Sequence, residues 1–114
     1  MAVRRVDLLQ GTLDLLVLKV LSTGQNHGYG IAQRIHELSD DALKVEEGSL
    51  YPALYRMEEQ GLIEAEWGPT ENNRTAKFYR LTRKGRAAAQ AELDSWLRLS
   101  GGIARLLRAI EQGA

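Results

Sequence analysis

The chain has 114 residues, no cysteine, and 15 Lys+Arg balanced by 15 Asp+Glu. This length fits one core that buries roughly 65% of the unfolded surface without covalent staples. The missing cysteines exclude a disulfide framework and thiolate chemistry. The zero formal charge argues against crude, sequence-blind polyanion binding, so local patches carry any nucleic-acid argument.

No targeting segment is visible. Arg4 and Arg5 precede apolar residues, but Asp7, Gln10 and Asp14 interrupt any signal-type stretch. The longest apolar run there, Leu15 to Leu18, is too short to span a membrane. A cytoplasmic location without membrane association is expected.

Leu8 to Leu21 reads as a helix. Leu9, Leu13, Leu16, Val17, Val20 and Leu21 form one apolar stripe at helical spacing. Leu8, Leu15 and Leu18 lie off it, so the helix is apolar on more than one side. Either it is the central helix of a monomer, or the second side meets another subunit.

Ser22 to Gly30 reads as a turn punctuated by glycines, and a second helix follows from about Tyr29 to Ser39, with Ile31, Ile35 and Leu38 inward. A third begins at Ser49, a candidate cap, with Pro52 expected in the first turn. Leu50, Ala53, Leu54 and Met57 make its buried stripe, and Gly61 ends it.

Leu62 to Trp67 and Ala76 to Leu81 alternate as strands of a hairpin with a long loop. Thr82 caps a final helix, from about Arg83 to Ile110. Its residues Ala89, Leu93, Trp96, Ser100, Ile103, Leu107 and Ile110 recur at spacings of four and three, a coiled-coil-like seam. Gly101-Gly102 costs roughly 2 kcal/mol of helix propensity and marks a candidate bend or close backbone approach.

The fold class expected is mainly α with a small β-hairpin: a winged helix-turn-helix domain over residues 1–82 and a dimerisation helix over 83–114. In that plan the third helix enters the major groove of double-stranded DNA and the hairpin lies along its backbone. From Thr70 to Arg86 the basic residues are Arg74, Lys77, Arg80, Arg83, Lys84 and Arg86, and Glu71 is the only acid, a local charge of 6 − 1 = +5. Such clusters gain affinity by releasing counterions from phosphates. Candidate DNA contacts are Ser49, Tyr51, Pro52, Tyr55 and Arg56 on the third helix, with Arg74 and Lys77 on the hairpin. Candidate dimer contacts are Leu8, Leu15, Leu18, Leu93, Trp96, Ile103, Leu107 and Ile110.

An enzyme finds no constellation. His27 and His36 lack ligand spacing, and read as a turn residue and an exposed helix residue. Asp40-Asp41 reads as a helix-end turn rather than a catalytic pair, and no phosphate-binding or nucleophile-elbow motif is present. No metal or cofactor is expected. A protein-interaction module that kept the winged fold but lost DNA is the rival, and the basic hairpin argues against it.

Several blocks carry a resemblance: Gly11-Thr12-Leu13, His27-Gly28-Tyr29-Gly30-Ile31, Glu47-Gly48-Ser49-Leu50-Tyr51-Pro52-Ala53-Leu54, Glu59-Gln60-Gly61-Leu62-Ile63 and Tyr79-Arg80-Leu81-Thr82-Arg83-Lys84-Gly85. From about Leu8 to Leu107 the chain resembles the PadR family of bacterial regulators. The resemblance implies a homodimeric transcriptional regulator, commonly a repressor, that binds palindromic operators. It is similar to the subgroup with one terminal dimerisation helix, which packs against the first helix of the other subunit. Some such proteins stack flat aromatic effectors on a tryptophan of that helix, and Trp96 stands in a matching place. Tyr55 departs from the family's usual basic or small residue, and Met57 from its usual leucine.

Overall fold

An apolar stretch near the start of the chain becomes the centre of the fold. The structure, a computed structural model, describes residues 10–114. Its elements are α1 (Gln10–Leu21), β1 (Asn26–His27), α2 (Gly28–Leu38), α3 (Glu47–Glu59), β2 (Ile63–Pro69), β3 (Thr75–Leu81) and α4 (Arg83–Glu111). The fold is mainly helical with a three-stranded antiparallel sheet.

α1 packs against α2, α3, β3 and α4 at once, which explains why apolar residues occur around most of its circumference. Leu13, Val17, Leu18, Val20 and Leu21 join Ile31, Ile35, Leu50, Leu54, Met57 and Ile63 in one core. Each such large side chain, fully buried, contributes about 1.5–3 kcal/mol. Of the expected dimer contacts, Leu18 is 1% exposed and belongs to this core, whereas Leu15 is 6% exposed and borders the groove between α1 and α4. Leu8 lies outside the described residues.

The segment expected as a turn before α2 contains a strand. Asn26 and His27 pair with Tyr79 and Phe78 of β3, giving the strand order β1-β3-β2. His27 also caps α2, its Nδ1 accepting from the Gly30 N–H at 3.0 Å. Leu38, expected inward, is exposed at the end of α2.

α3 starts two residues before the expected cap. Glu46 is its N-cap and makes no side-chain cap bond, so Ser49 lies inside the first turn and does not cap. Pro52 then falls in the second turn, where its missing N–H leaves the Gly48 carbonyl without its intrahelical donor. The far end matches expectation. Gly61 takes φ +75°, and the Leu62 and Gly61 N–H groups donate to the Met57 and Glu58 carbonyls in a Schellman closure.

β2 and β3 form the hairpin in a register running from Ile63↔Leu81 to Pro69↔Thr75. Thr82 caps α4, its Oγ1 accepting from the Gly85 N–H at 3.0 Å and lying 2.6 Å from the Gly61 carbonyl oxygen. α4 runs unbroken from Arg83 to Glu111, so Gly101-Gly102 interrupts no helix. Only Gly85 and Ala89 of α4 are buried.

Candidate nucleic-acid interface

The core stripe of α3 decides what its other side can present. With Leu50, Ala53, Leu54 and Met57 buried, the 3.6-residue repeat turns Gly48, Tyr51, Pro52 and Tyr55 outward. This ridge carries hydroxyls and apolar surface but no cation, and the exposed Glu47 and Glu59 stand at its two ends. Ser49 is exposed on the flank facing α1, beside Gln10, Leu13 and Pro52. The Tyr51 ring stands against Gly28, so close that a Cβ there would press into the ring. Tyr55 is open to solvent, and a hydrogen bond to Glu59 raises its hydroxyl above the usual tyrosine range.

Arg56 does not join that ridge. Its guanidinium turns to α1 and makes two hydrogen bonds to Asp14, at 2.9 and 2.7 Å. The hydrogen bonds to Asp14 raise the guanidinium above its ordinary pKa, against the partial burial that lowers it. The two bonds use two of the five guanidinium N–H donors and set its charge against a carboxylate. In the free chain Arg56, expected as a DNA contact, is thus engaged by Asp14 rather than turned to the open ridge.

The hairpin's charge is also partly spent within the chain. Lys77 Nζ donates to Glu58 Oε1 of α3 at 3.0 Å, and that bond raises the lysine above its ordinary pKa. Lys77 Nζ also sits 5.7 Å from the Tyr79 ring centre. Arg80 faces Glu64 at 3.4 Å and Glu66 at 3.5 Å across the strands. Among the described residues Arg74, Arg83, Lys84 and Arg86 form no ion pair. Arg74 stands in the five-residue tip, which Thr70 and Arg74 close through backbone and hydroxyl bonds. Arg83, Lys84 and Arg86 sit at the positive end of α4's dipole with no acid in the first turn, an arrangement that costs a few tenths of a kcal/mol per cation. The cationic surface is thus narrower than the sequence count, centred on the wing tip and the start of α4.

Between α3 and the wing lies a cleft lined by His27, Gly28, Tyr29, Tyr51, Trp67, Lys77 and Tyr79. Trp67 pairs in register with Lys77 and is two-thirds exposed, although alternation places it on the core-facing side of β2. Burial raises the Tyr79 hydroxyl above the usual range. Sequence reasoning missed Trp67 and Tyr29 as surface groups, because alternation gives a face but not where the covering layer ends.

A second groove, about 250 Å³, lies between α1 and α4 and is lined by Gly11, Thr12, Leu15, Glu92, Ser95, Trp96 and Leu99. Beyond it Ile103, Leu106, Leu107 and Ile110 are about half exposed, whereas Leu93 is partly covered.

Residues 17–91 match the transcriptional regulator PadR-like family. The chain belongs to the PadR family. It is 36% identical over 79 residues to a transcriptional regulator of Mycobacterium tuberculosis, covering 69% of this chain and 70% of that protein. Its fold is similar to that of a transcriptional regulator from Clostridium thermocellum, with a TM-score of 0.76, 27% identity, and coverage of 84% and 93% of the two chains. A PadR family regulator from Eggerthella lenta gives a TM-score of 0.70 at 33% identity, covering 86% of this chain and 83% of that one. PadR proteins are transcriptional regulators rather than enzymes, and the winged helix described above is their DNA-binding fold. No described helix is long and apolar enough to cross a membrane.

The blocks that carried the PadR resemblance meet one another in space. Gly28 accepts the ring of Tyr51, and Thr82 and Gly85 close on Gly61 and Leu62. A Cβ at Gly85 would collide with the Leu62 carbonyl oxygen. Much of the PadR signature in this chain therefore specifies how the wing and α4 dock, not which bases are read.

Proposed function

We propose that this PadR regulator represses transcription in the cytoplasm by binding a palindromic operator as a homodimer. Residues 1–82 carry the DNA interface and residues 83–114 the dimer interface. The observation that carries this reading is the uncovered seam of α4, where Trp96, Ile103, Leu107 and Ile110 are 45–57% exposed on a helix that runs past its own domain. Exposed apolar surface of this length is stabilised by a partner of the same kind, and a two-fold partner brings two copies of α3 about 34 Å apart, one turn of DNA.

Ser49, Tyr51, Pro52 and Tyr55 approach base edges and sugar, while Arg74 and Lys77 hold the backbone. Leu93, Trp96, Ile103, Leu107 and Ile110 form the seam. A flat aromatic effector stacking on Trp96 in the groove beside α1 releases the operator. The cation-free α3 ridge supports base reading by shape and hydroxyl contacts rather than by arginine forks.

Selection of bound fragments from random duplex DNA tests the operator. A recovered inverted repeat is the expected result; fragments with no common sequence would refute it. Titrating planar aromatic compounds against tryptophan fluorescence, with Trp67→Phe removing the other indole, tests the effector. Quenching that also lowers operator affinity is expected, and the effector reading fails if no compound does both.

A further inference from the structure

α1 borders both working parts of the proposed regulator. Gly11, Thr12 and Leu15 line the groove beside Trp96. One residue away, Asp14 holds Arg56 of α3 through two bonds of 2.7 and 2.9 Å, across 42 residues of sequence. Arg56 is the only basic residue of α3, against Glu47, Glu58 and Glu59. The side chains are 17% and 31% exposed, so water and salt screen the pair less than an open surface pair. A bidentate guanidinium–carboxylate bond sets an angle as well as a distance, which a point charge on a flexible stem does not.

We propose that Asp14 and Arg56 are positioning residues, a strut that sets the tilt of α3 against α1 and withholds α3's single cation from DNA phosphates. The proposal rests on α3 being the major-groove helix. A pair that merely stabilised the fold would lower the melting temperature and leave the choice between DNA sequences alone. A direct DNA contact would need Arg56 but not Asp14.

The test measures affinity for the duplex selected with the wild-type chain and for a random duplex of equal length, across a salt series. Asp14→Asn and Arg56→Met should each weaken the selected duplex about tenfold, the scale of coupling between residues in one network. On random DNA, Asp14→Asn should bind more tightly with a log–log salt slope steeper by about 0.9, one freed cation. Arg56→Met should stay within about twofold there, and the double variant should match Arg56→Met on the selected duplex within about twofold. Arg56→Lys, which keeps charge but not the fork, should lose selectivity and keep random-duplex affinity. The ratio between duplexes is insensitive to the folded fraction, so a destabilised variant still reports. Loss on both duplexes in Arg56→Met with wild-type behaviour in Asp14→Asn would overturn the proposal in favour of a direct contact. An unchanged ratio in both variants would overturn it in favour of simple stabilisation. A wild-type chain that binds both duplexes equally would instead defeat the reading of α3 beneath it.

Discussion

The winged core and the outer half of α4 use the same kind of residue to opposite effect. In the core, Leu50, Leu54 and Met57 recur at helical spacing and are fully buried with Leu18 of α1, because four helices and a sheet converge on them. In α4, Trp96, Ile103, Leu107 and Ile110 recur at the same spacing and stay about half exposed, because no further layer among the described residues covers them. Apolar periodicity states that a face wants burial; the number of neighbouring elements decides whether one chain can supply it.

That contrast is broken most forcefully by truncation. Leu54→Ala should cost about 3 kcal/mol in urea unfolding, at any protein concentration. Leu107→Ala should cost far less at high dilution, with a loss that grows only where the chain self-associates. Equal, concentration-independent losses would mean that the seam is covered within one chain.

The joint between the two regions comes next. Gly85→Ala should cost about 2 kcal/mol, since the added methyl meets the backbone oxygen of Leu62 and the strand must shift. Thr82→Ala should cost about 1 kcal/mol, because it removes the α4 cap and the hydroxyl's link to Gly61. Thermal melts of both variants check the ranking; a Thr82 loss larger than that of Gly85 would place the docking energy in the cap.

The smallest expected effect concerns charge. Arg74→Ala should flatten the salt slope of DNA binding by about 0.9, the share of one phosphate contact. Arg80→Ala should change it less, since Glu64 and Glu66 already face that guanidinium. Equal slopes for the two variants would show that the cross-strand acids do not hold Arg80 back.

Local signals carried much of the fold. Gly61 ends α3 because only an uncrowded residue takes φ +75° easily, and Thr82 caps α4 through its own hydroxyl. What escaped reading depended on distance or on the absence of a signal. Ser49 resembled a cap because it precedes the apolar stripe, yet α3 starts at Glu47 behind a Glu46 that makes no side-chain bond. The strand at Asn26–His27 is two residues long and is held by Tyr79 and Phe78, far along the chain. Arg56 looked available because Asp14 lies 42 residues away, and the +5 window omitted Glu64 and Glu66, which the hairpin register brings to Arg80. Leu18 looked surplus on α1 because its neighbours come from elements that local pattern cannot place together.

The mass of the complex on DNA tests the central claim most directly, because it joins the uncovered seam to the reading helix. Sedimentation equilibrium with the selected duplex at micromolar chain should give two copies per duplex, lost together when Ile103→Glu and Leu107→Glu are combined. One copy per duplex with undiminished affinity, or a seam variant that still binds as a pair, would contradict the account.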